Sequence, residues 1–145
     1  TIGALTLLEK NPSEAFFVMN GDLLTNVDFK KMLDFHKSNN SKATMCVRSY
    51  DYTVPFGVVS CSNEKIESID EKPMHNFFVN AGIYILEPEC IDLIPHNEYY
   101  DITTLFQKII SMGINTTAFP LQEYWLDIGR VSEYNQANAE FKQLF

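Results

Sequence analysis

The sequence has no excess of basic residues. Eleven lysines and arginines stand against nineteen aspartates and glutamates, so the formal net charge is −8. Proteins that bind nucleic acid through its phosphates present a basic surface, and an anionic membrane surface repels an acidic chain. We therefore expect neither nucleic acid nor a membrane among the partners of this chain.

Long apolar runs are also missing. No run approaches the roughly 18 residues that a transmembrane helix needs, and the first residues show no signal-peptide pattern. The expected compartment is therefore the cytoplasm. The 46% hydrophobic and 13% aromatic content argues against disorder. A chain of 145 residues is long enough to form one domain that buries roughly 68–70% of its unfolded surface.

Cysteine is scarce and shows no paired spacing. Cys46, Cys61 and Cys90 are odd in number, lie far apart and include no CxxC pair. This set fits reduced thiols better than a disulfide framework or a zinc site, and we expect three partly buried side chains. The three histidines also lack metal-ligand spacing, and the position of His36 on an apolar helix face predicts that it packs in the core.

Four short polar segments follow or interrupt apolar runs. The first comes directly after the apolar residues 15–19 and places Asp22 where a buried strand emerges into a loop. In an open α/β sheet, the loops beyond the carboxyl ends of the strands form the ligand crevice. The four segments are Asn20-Gly21-Asp22, Glu71-Lys72-Pro73, Asn80-Ala81-Gly82 and Trp125-Leu126-Asp127-Ile128-Gly129.

The hydrophobic pattern predicts strands mixed with helices. Strands are expected near residues 15–19, 43–47, 57–60, 65–69, 77–85, 116–119 and 124–126, of which 57–60 and 65–69 form a hairpin. Helices are expected near 5–9, 28–38, 88–94, 101–113 and 133–144, with Asp28, Asp101 and Ser132 as N-caps and Gly113 at a C-terminal end. This mixture predicts an α/β fold with three α/β/α layers and a mixed sheet.

Asp22 and Asp127 each follow a predicted strand, and one sheet would bring both to the same edge. Two carboxylates suffice for Mg²⁺, which keeps several waters and takes further ligands from substrate phosphates. Taken singly, each aspartate is also typical of a turn. Their joint appearance favours a magnesium site, which an acidic chain would need in order to hold phosphates.

Three further positions have both a chemical and a structural interpretation. Lys72 would gain roughly 4 kcal/mol at about 4 Å from a phosphate oxygen, at an effective dielectric near 20. Its alternative is a solvated surface pair with Glu71. Gly57 allows a ligand to approach the backbone closely or simply forms a turn. Asn80 interrupts an apolar strand and needs partners, either ligand hydroxyls or neighbouring backbone.

In this order along one chain, the four segments resemble the sugar-nucleotidyltransferase family, whose members join a sugar 1-phosphate to a nucleoside triphosphate. The resemblance covers nearly the whole chain. It implies a Rossmann-like nucleotide-diphospho-sugar transferase fold, Mg²⁺ as cofactor, and pyrophosphate as the second product. The overall run is most similar to the branch that uses mannose 1-phosphate and GTP, while glucose 1-phosphate with UTP or dTTP remains open.

The resemblance also assigns a role to individual residues. It implies that Asp22 and Asp127 bind Mg²⁺ and that Lys72 binds the sugar phosphate. The segment Thr1-Ile2-Gly3-Ala4 is similar to the tail of the family's Leu-Gly-Thr-Ala-Gly-Ala-Leu segment, which places Gly3 near the base and ribose. The remaining implied substrate contacts come from Asn20, Gly21, Gly57, Glu71 and Asn80.

One family element does not occur in the sequence. The glycine-rich loop that cradles the triphosphate, with its Gly-x-Gly-Thr-Arg-Leu pattern, has no counterpart in the 145 residues. We therefore expect residues 1–145 to be the C-terminal portion of a longer, N-terminally incomplete nucleotidyltransferase-like domain that is inactive alone.

Three other interpretations remain open. A metal-dependent glycosyltransferase would normally show Asp-x-Asp where this chain has Asn20-Gly21-Asp22. A non-catalytic sugar-phosphate-binding or regulatory domain would not need the triphosphate loop. An incomplete sheet would also expose an unpaired edge, which favours self-association into a homo-oligomer.

Overall fold

The structure is a computed structural model that describes residues 2–144, with side chains described for residues 2–141. Thr1, the first residue of the segment expected near the base, lies outside the described residues. The helices are α1 (Phe29–Ser38), α2 (Ile102–Ser111) and α3 (Val131–Leu144), with 3₁₀ helices at Ile2–Leu7 and Pro88–Leu93. The strands are β1 (Phe16–Met19), β2 (Leu23–Thr25), β3 (Ala43–Thr53), β4 (Gly57–Ser62), β5 (Lys65–Glu71), β6 (Met74–Leu86), β7 (Thr116–Leu121) and β8 (Trp125–Asp127).

Four strands form the main sheet in the order β1-β6-β3-β7. β3 and β7 run parallel, whereas the other pairs are antiparallel, so the sheet is mixed. Helix α1 covers one face with Met32 and His36, and α2 covers the other with Leu105, Phe106 and Ile109. This arrangement confirms the prediction of a three-layer α/β/α fold with a mixed sheet.

The second half of β6 forms the centre of this sheet. All six residues from 81 to 86 are buried. Ala81, Ile83 and Ile85 pack with the α1 layer, while Tyr84 and Leu86 pack with the α2 layer. A strand covered on both faces has a nearly continuous apolar sequence, which explains why this segment was recognisable without alternation. None of the helices in the described residues combines the length and apolarity needed to cross a membrane.

The predicted helix caps differ in outcome. Asp28 is the N-cap of α1, and its Oδ1 accepts a hydrogen bond from the Lys31 amide at 2.9 Å. Asp101 holds the N-cap position of α2 but makes no capping bond through its side chain. The prediction that Ser132 caps the last helix is wrong, because α3 already begins at Val131 and Ser132 lies in its first turn.

The cysteine prediction is correct for two residues and wrong for the third. All three thiols are free, and Cys46 and Cys90 are buried. Burial raises the pKa of Cys46 to about 12 and that of Cys90 to about 11, so both thiols stay protonated near neutral pH. Cys61 is exposed, because the β4–β5 hairpin that carries it packs none of its residues into the core.

Two strands run beyond the limits that apolar runs predicted. β3 extends to Thr53 and β6 begins at Met74, and these two residues lie opposite each other. Their outer halves are exposed, so hydrogen bonding between strands continues where burial has ended. The β4–β5 hairpin follows at the end of this arm, which confirms the predicted hairpin.

Candidate active site

The structure brings Asp22 and Asp127 together on a short ribbon outside the main sheet. Asp22 lies in the turn after β1, and Asp127 ends β8. β2 and β8 pair antiparallel with Leu23 opposite Asp127, and the Ile128 amide donates to the Asp22 carbonyl at 2.8 Å. One sheet thus brings the two aspartates together, as expected, but it is the two-stranded β2–β8 sheet, whose strand β2 is too short to be predicted from its sequence pattern.

The electrostatic surroundings of Asp127 are acidic. Partial desolvation raises the pKa of its carboxyl group, and the negative charges of Asp22 and Glu133 raise it further. A Cβ atom at Gly129 would lie 3.7 Å from Glu133 Oε2 and 3.8 Å from Asp127 Oδ1, so both carboxylates face this glycine. Like charges brought together in this way favour either a bound proton or a cation.

Sequence reasoning missed Glu133. It lies in the first turn of α3, where an acidic residue is usually explained by the helix dipole. Only the turn through Gly129 and Arg130, which folds α3 back beside β8, places its carboxylate near Asp127. A spacing of six residues carries no recognisable signal for this proximity.

The donor set fits a hard cation that retains water. Within the described part of the chain, no three acidic, histidine or cysteine side chains are grouped so as to hold a metal by themselves. Two carboxylates with water and phosphate oxygens are the usual surroundings of Mg²⁺. Asp22 and Asp127 would hold such an ion, which would neutralise the negative charges of Asp22 and Glu133 that add to the effect of desolvation on the pKa of Asp127.

Asn20 packs against a bulge in β6. The backbone amide of Asn20 donates to the Gly82 carbonyl at 2.9 Å. Gly82 has a φ of +73°, and a Cβ atom there would lie 2.9 Å from Asn20 Nδ2. The backbone conformation therefore favours glycine at this position, and any larger residue would have to displace the Asn20 side chain.

The Asn80 side chain is satisfied within the same bulge. Its Nδ2 donates to the Tyr84 hydroxyl at 2.7 Å, and its Oδ1 accepts from the Gly82 amide at 2.9 Å. The bulge is visible in the strand register: Met45 pairs with Tyr84 and Val47 pairs with Asn80, so β6 uses four residues where β3 uses two. Of the two alternatives for Asn80, the structure shows neighbouring protein groups as its partners.

Gly57, Glu71 and Lys72 form a second group at the base of the exposed hairpin. Gly57 pairs with Glu71, and a Cβ atom at Gly57 would lie 3.0 Å from Glu71 Oε2. Lys72 has a φ of +47° and an exposed side chain. Among the described residues it forms no ion pair, so the expected alternative of a surface pair with Glu71 is not present.

Gly3 and Gly21 occupy different surroundings. The Gly3 amide donates to the Tyr100 carbonyl at 3.3 Å, and a Cβ atom there would lie 3.0 Å from the Glu98 carbonyl oxygen. Gly21 has open space around its Cβ position. No backbone hydrogen bond or ion pair within the described residues joins Gly3 or the Lys72 group directly to the two aspartates.

Known proteins are similar to this chain in both sequence and fold. The model of the family described as "Nucleotidyl transferase" matches residues 1–143. Mannose-1-phosphate guanyltransferase 2 of Candida glabrata is 34% identical over 142 residues, which cover 92% of this chain and 39% of the relative. The UTP–glucose-1-phosphate uridylyltransferase of Synechocystis is 34% identical over 145 residues, which cover 93% of this chain and 37% of the relative.

Solved structures of sugar nucleotidyltransferases and related proteins have a similar fold. HddC from Yersinia pseudotuberculosis superposes with a TM-score of 0.61 at 26% identity, covering 95% of this chain and 59% of that protein. A candidate glucose-1-phosphate thymidylyltransferase from Bacillus anthracis superposes with a TM-score of 0.65 at 22% identity, covering 95% of this chain and 58% of that protein. The chain spans well under half the length of the curated relatives that it matches. From these similarities, the chain belongs to the nucleotidyl transferase family, among sugar 1-phosphate nucleotidyltransferases.

Proposed function

We propose that the protein containing this chain transfers a nucleotidyl group from a nucleoside triphosphate to a sugar 1-phosphate and releases pyrophosphate. The observation that carries the proposal is the pair of carboxylates, Asp22 and Asp127, on adjacent rungs of one ribbon. Mannose 1-phosphate with GTP is the first choice of substrates, since several similar proteins are named mannose-1-phosphate guanyltransferases.

The two aspartates would hold Mg²⁺ against the phosphates. The bound ion supplies neutralisation of the charge that develops during phosphoryl-type transfer. Asp22 and Asp127 would determine the position of the ion, because the β2–β8 pairing holds their backbones in place. Asp127 acts as a ligand in its deprotonated form, and desolvation together with the charges of Asp22 and Glu133 raises the pKa of its carboxyl group.

Lys72 would hold the phosphate of the sugar substrate. Its side chain is exposed and has no ion-pair partner among the described residues, so no protein carboxylate competes with an incoming phosphate. Gly57 and Glu71 would contact the sugar, with the Glu71 carboxylate accepting from its hydroxyls. Asn80 would join them through the second hydrogen of its Nδ2, since the first is donated to the Tyr84 hydroxyl. Asn20 and Gly21 would contact substrate beside Asp22, and Gly3 would lie near the base and ribose.

The proposed reaction is a direct displacement that forms no covalent intermediate on the protein. A phosphate oxygen of the sugar 1-phosphate attacks the α-phosphorus, the bond from that phosphorus to the bridging oxygen breaks, and pyrophosphate leaves with the electron pair. The protein contributes mainly positioning and electrostatic stabilisation. A triphosphate-binding loop is also needed, and we assign it to a segment outside these 145 residues.

The test is pyrophosphate release from GTP, UTP or dTTP with Mg²⁺ and either mannose 1-phosphate or glucose 1-phosphate. This chain alone is expected to be inactive, whereas the chain joined to the sequence encoded upstream is expected to release pyrophosphate. Asp127→Asn should abolish release in the longer protein. Binding of sugar 1-phosphate without any release would favour a non-catalytic binding domain instead.

Lys72→Ala tests the proposed phosphate contact. In the longer protein we expect turnover to fall roughly 10²–10³-fold, the scale for loss of one preorganised charge-stabilising group. Lys65→Ala is the matched control, because Lys65 is an exposed lysine at the opposite end of the same hairpin. Equal turnover in the two variants would remove Lys72 from the mechanism.

A further inference from the structure

Arg48 belongs to none of the motifs identified in the sequence, yet it reaches from β3 to the ribbon that carries the two aspartates. Its Nη1 donates a hydrogen bond to the backbone oxygen of Trp125 at 2.6 Å. Its guanidinium carbon lies 5.4 Å from the centroid of the Trp125 ring. One side chain therefore contacts both the backbone and the ring of the first residue of β8.

Trp125 is held from a second direction by the bulge in β6. Its Nε1 donates to the Ala81 carbonyl at 2.8 Å. Two residues further along β8, Asp127 lies opposite Leu23, and the next amide bonds to the Asp22 carbonyl. The anchored residue and the two carboxylates therefore share one short ladder.

The ribbon depends on such an anchor for its position. β2 and β8 contain three residues each and pair with no further strand in the described part of the chain. A two-stranded ribbon on its own is only marginally stable in water. The contacts of Arg48 and Trp125 join this ribbon to β3 and β6 of the main sheet.

We propose that Arg48 is a positioning residue, which fixes the orientation of the Asp22 and Asp127 carboxylates for a divalent cation. The role of the cation rests on the proposed function, whereas the anchoring of the ribbon does not. A planar guanidinium donates a hydrogen bond and stacks on an aromatic face at the same time, which a lysine ammonium cannot do in this geometry. Arg48→Lys should therefore preserve only part of the effect.

Trp125 provides a direct probe of this ribbon. It is the only tryptophan in the chain, so all tryptophan fluorescence comes from β8. The experiment is a Mn²⁺ titration of the 145-residue chain, followed by paramagnetic quenching of the Trp125 emission. The variants are Arg48→Met, Arg48→Lys, Asp127→Asn and, as the matched control, Lys31→Met, which removes one positive charge from an exposed position of α1.

We expect Arg48→Met to weaken Mn²⁺ binding by about tenfold or more, the scale seen for outer-shell partners of metal ligands. Arg48→Lys should give an intermediate affinity, Lys31→Met should match the parent, and Asp127→Asn should lose the response. An Arg48→Met protein that is folded by circular dichroism and binds Mn²⁺ with unchanged affinity would overturn the proposal.

Hydrogen exchange at the Ile128 amide separates this proposal from the proposed function. That amide bonds to the Asp22 carbonyl, and we expect it to exchange faster in Arg48→Met than in Lys31→Met. Equal exchange rates would contradict anchoring by Arg48, whether or not Mn²⁺ binds. A parent chain that exchanges as expected but ignores Mn²⁺ would count against the metal site alone. If Arg48→Met does not fold, parent-like binding and exchange in Arg48→Lys would overturn the proposal.

Discussion

At the scale of single residues, Gly82 shows how one position joins two parts of the candidate site. Its carbonyl accepts a hydrogen bond from the backbone amide of Asn20, and its own backbone amide donates to Asn80 Oδ1. Its φ is +73°. Asn20 and Asn80 are both expected substrate contacts. Their relative placement therefore depends on a residue that contributes no side chain.

Gly82→Ala should destabilise the chain more than Gly113→Ala. Both glycines have positive φ, which costs an alanine about 1–2 kcal/mol, but only at Gly82 would the new Cβ meet Asn20 Nδ2 at 2.9 Å. The two free energies of unfolding, measured by urea denaturation, give the combined cost of the contacts with Asn20 and with Leu23 Cδ1, which would lie 3.1 Å from the new Cβ. Equal losses would mean that Asn20 moves aside without cost.

His36 illustrates a buried group whose charge matters to stability. Its ring is fully buried, and Nδ1 is hydrogen-bonded to Thr44 Oγ1 at 2.7 Å. Its Nε2 lies 3.5 Å from Glu87 Oε1. Burial lowers the pKa of His36, and the opposing attraction of Glu87 does not overcome this effect.

Stability should fall as the pH drops below the ordinary histidine pKa of about 6.5. The folded pKa lies below the unfolded one, so the unfolded chain binds more protons in this window and gains relative stability. His36→Asn can keep the bond to Thr44 and should show a weaker pH dependence between about pH 7 and pH 5. Parallel melting-temperature curves for parent and variant would refute the assignment to His36.

At the scale of elements, the β4–β5 hairpin is an appendage of the sheet. All of its strand residues are exposed. Its base is closed where the Val54 amide donates to the Pro73 carbonyl at 3.0 Å. The hairpin therefore contributes candidate substrate contacts, Gly57, Glu71 and Lys72, without contributing to the core.

Replacing residues 55–72 with Asn-Gly should leave the fold intact. With Pro73→Thr added, Val54 and residue 73 would then flank a two-residue turn of the type that closes antiparallel hairpins, because threonine supplies the backbone N–H that proline lacks. We expect the melting temperature to change by less than about 2–4 °C, which corresponds to roughly 1 kcal/mol in a domain of this size. Calorimetry measures that change, and titration with mannose 1-phosphate should show loss of binding if the parent chain binds it. A collapse in melting temperature would show that the hairpin supports the core.

At the scale of the whole molecule, the net charge of −8 sets the response to salt. Added NaCl shortens the Debye length from roughly 30 Å at 0.01 M to about 8 Å at 0.15 M. Self-repulsion in the compact state then weakens, while the exposed pairs Lys30–Asp34 and Lys42–Glu89 lose only a little attraction.

The melting temperature should therefore rise with NaCl over this range. A variant with Glu64→Gln and Glu67→Gln, two exposed hairpin positions, carries less negative charge and should show a smaller rise. A fall with salt would mean that surface ion pairs outweigh self-repulsion. Self-association through an unpaired sheet edge stays a prediction, which sedimentation at the same salt concentrations would test.

Several features could be predicted from the sequence because they depend on neighbouring residues. The hairpin, the Asp28 cap and the buried strands follow from local turn chemistry, capping and apolar runs. The order of the four polar segments was also sufficient to indicate the family. The first three signals are local, since each arises within a few residues of chain, whereas the order of the segments is a property of the whole sequence.

Tertiary structure alone decided how the candidate site is assembled. The pairing of β2 with β8, the bulge at Gly82 and the approach of Glu133 to Asp127 leave no local pattern in the sequence. Arg48 and Trp125 are 77 residues apart, and their contact arises only because β3 and β8 fold beside each other. The sequence by itself determined which chemical groups are available, whereas packing between distant segments decided which of them meet.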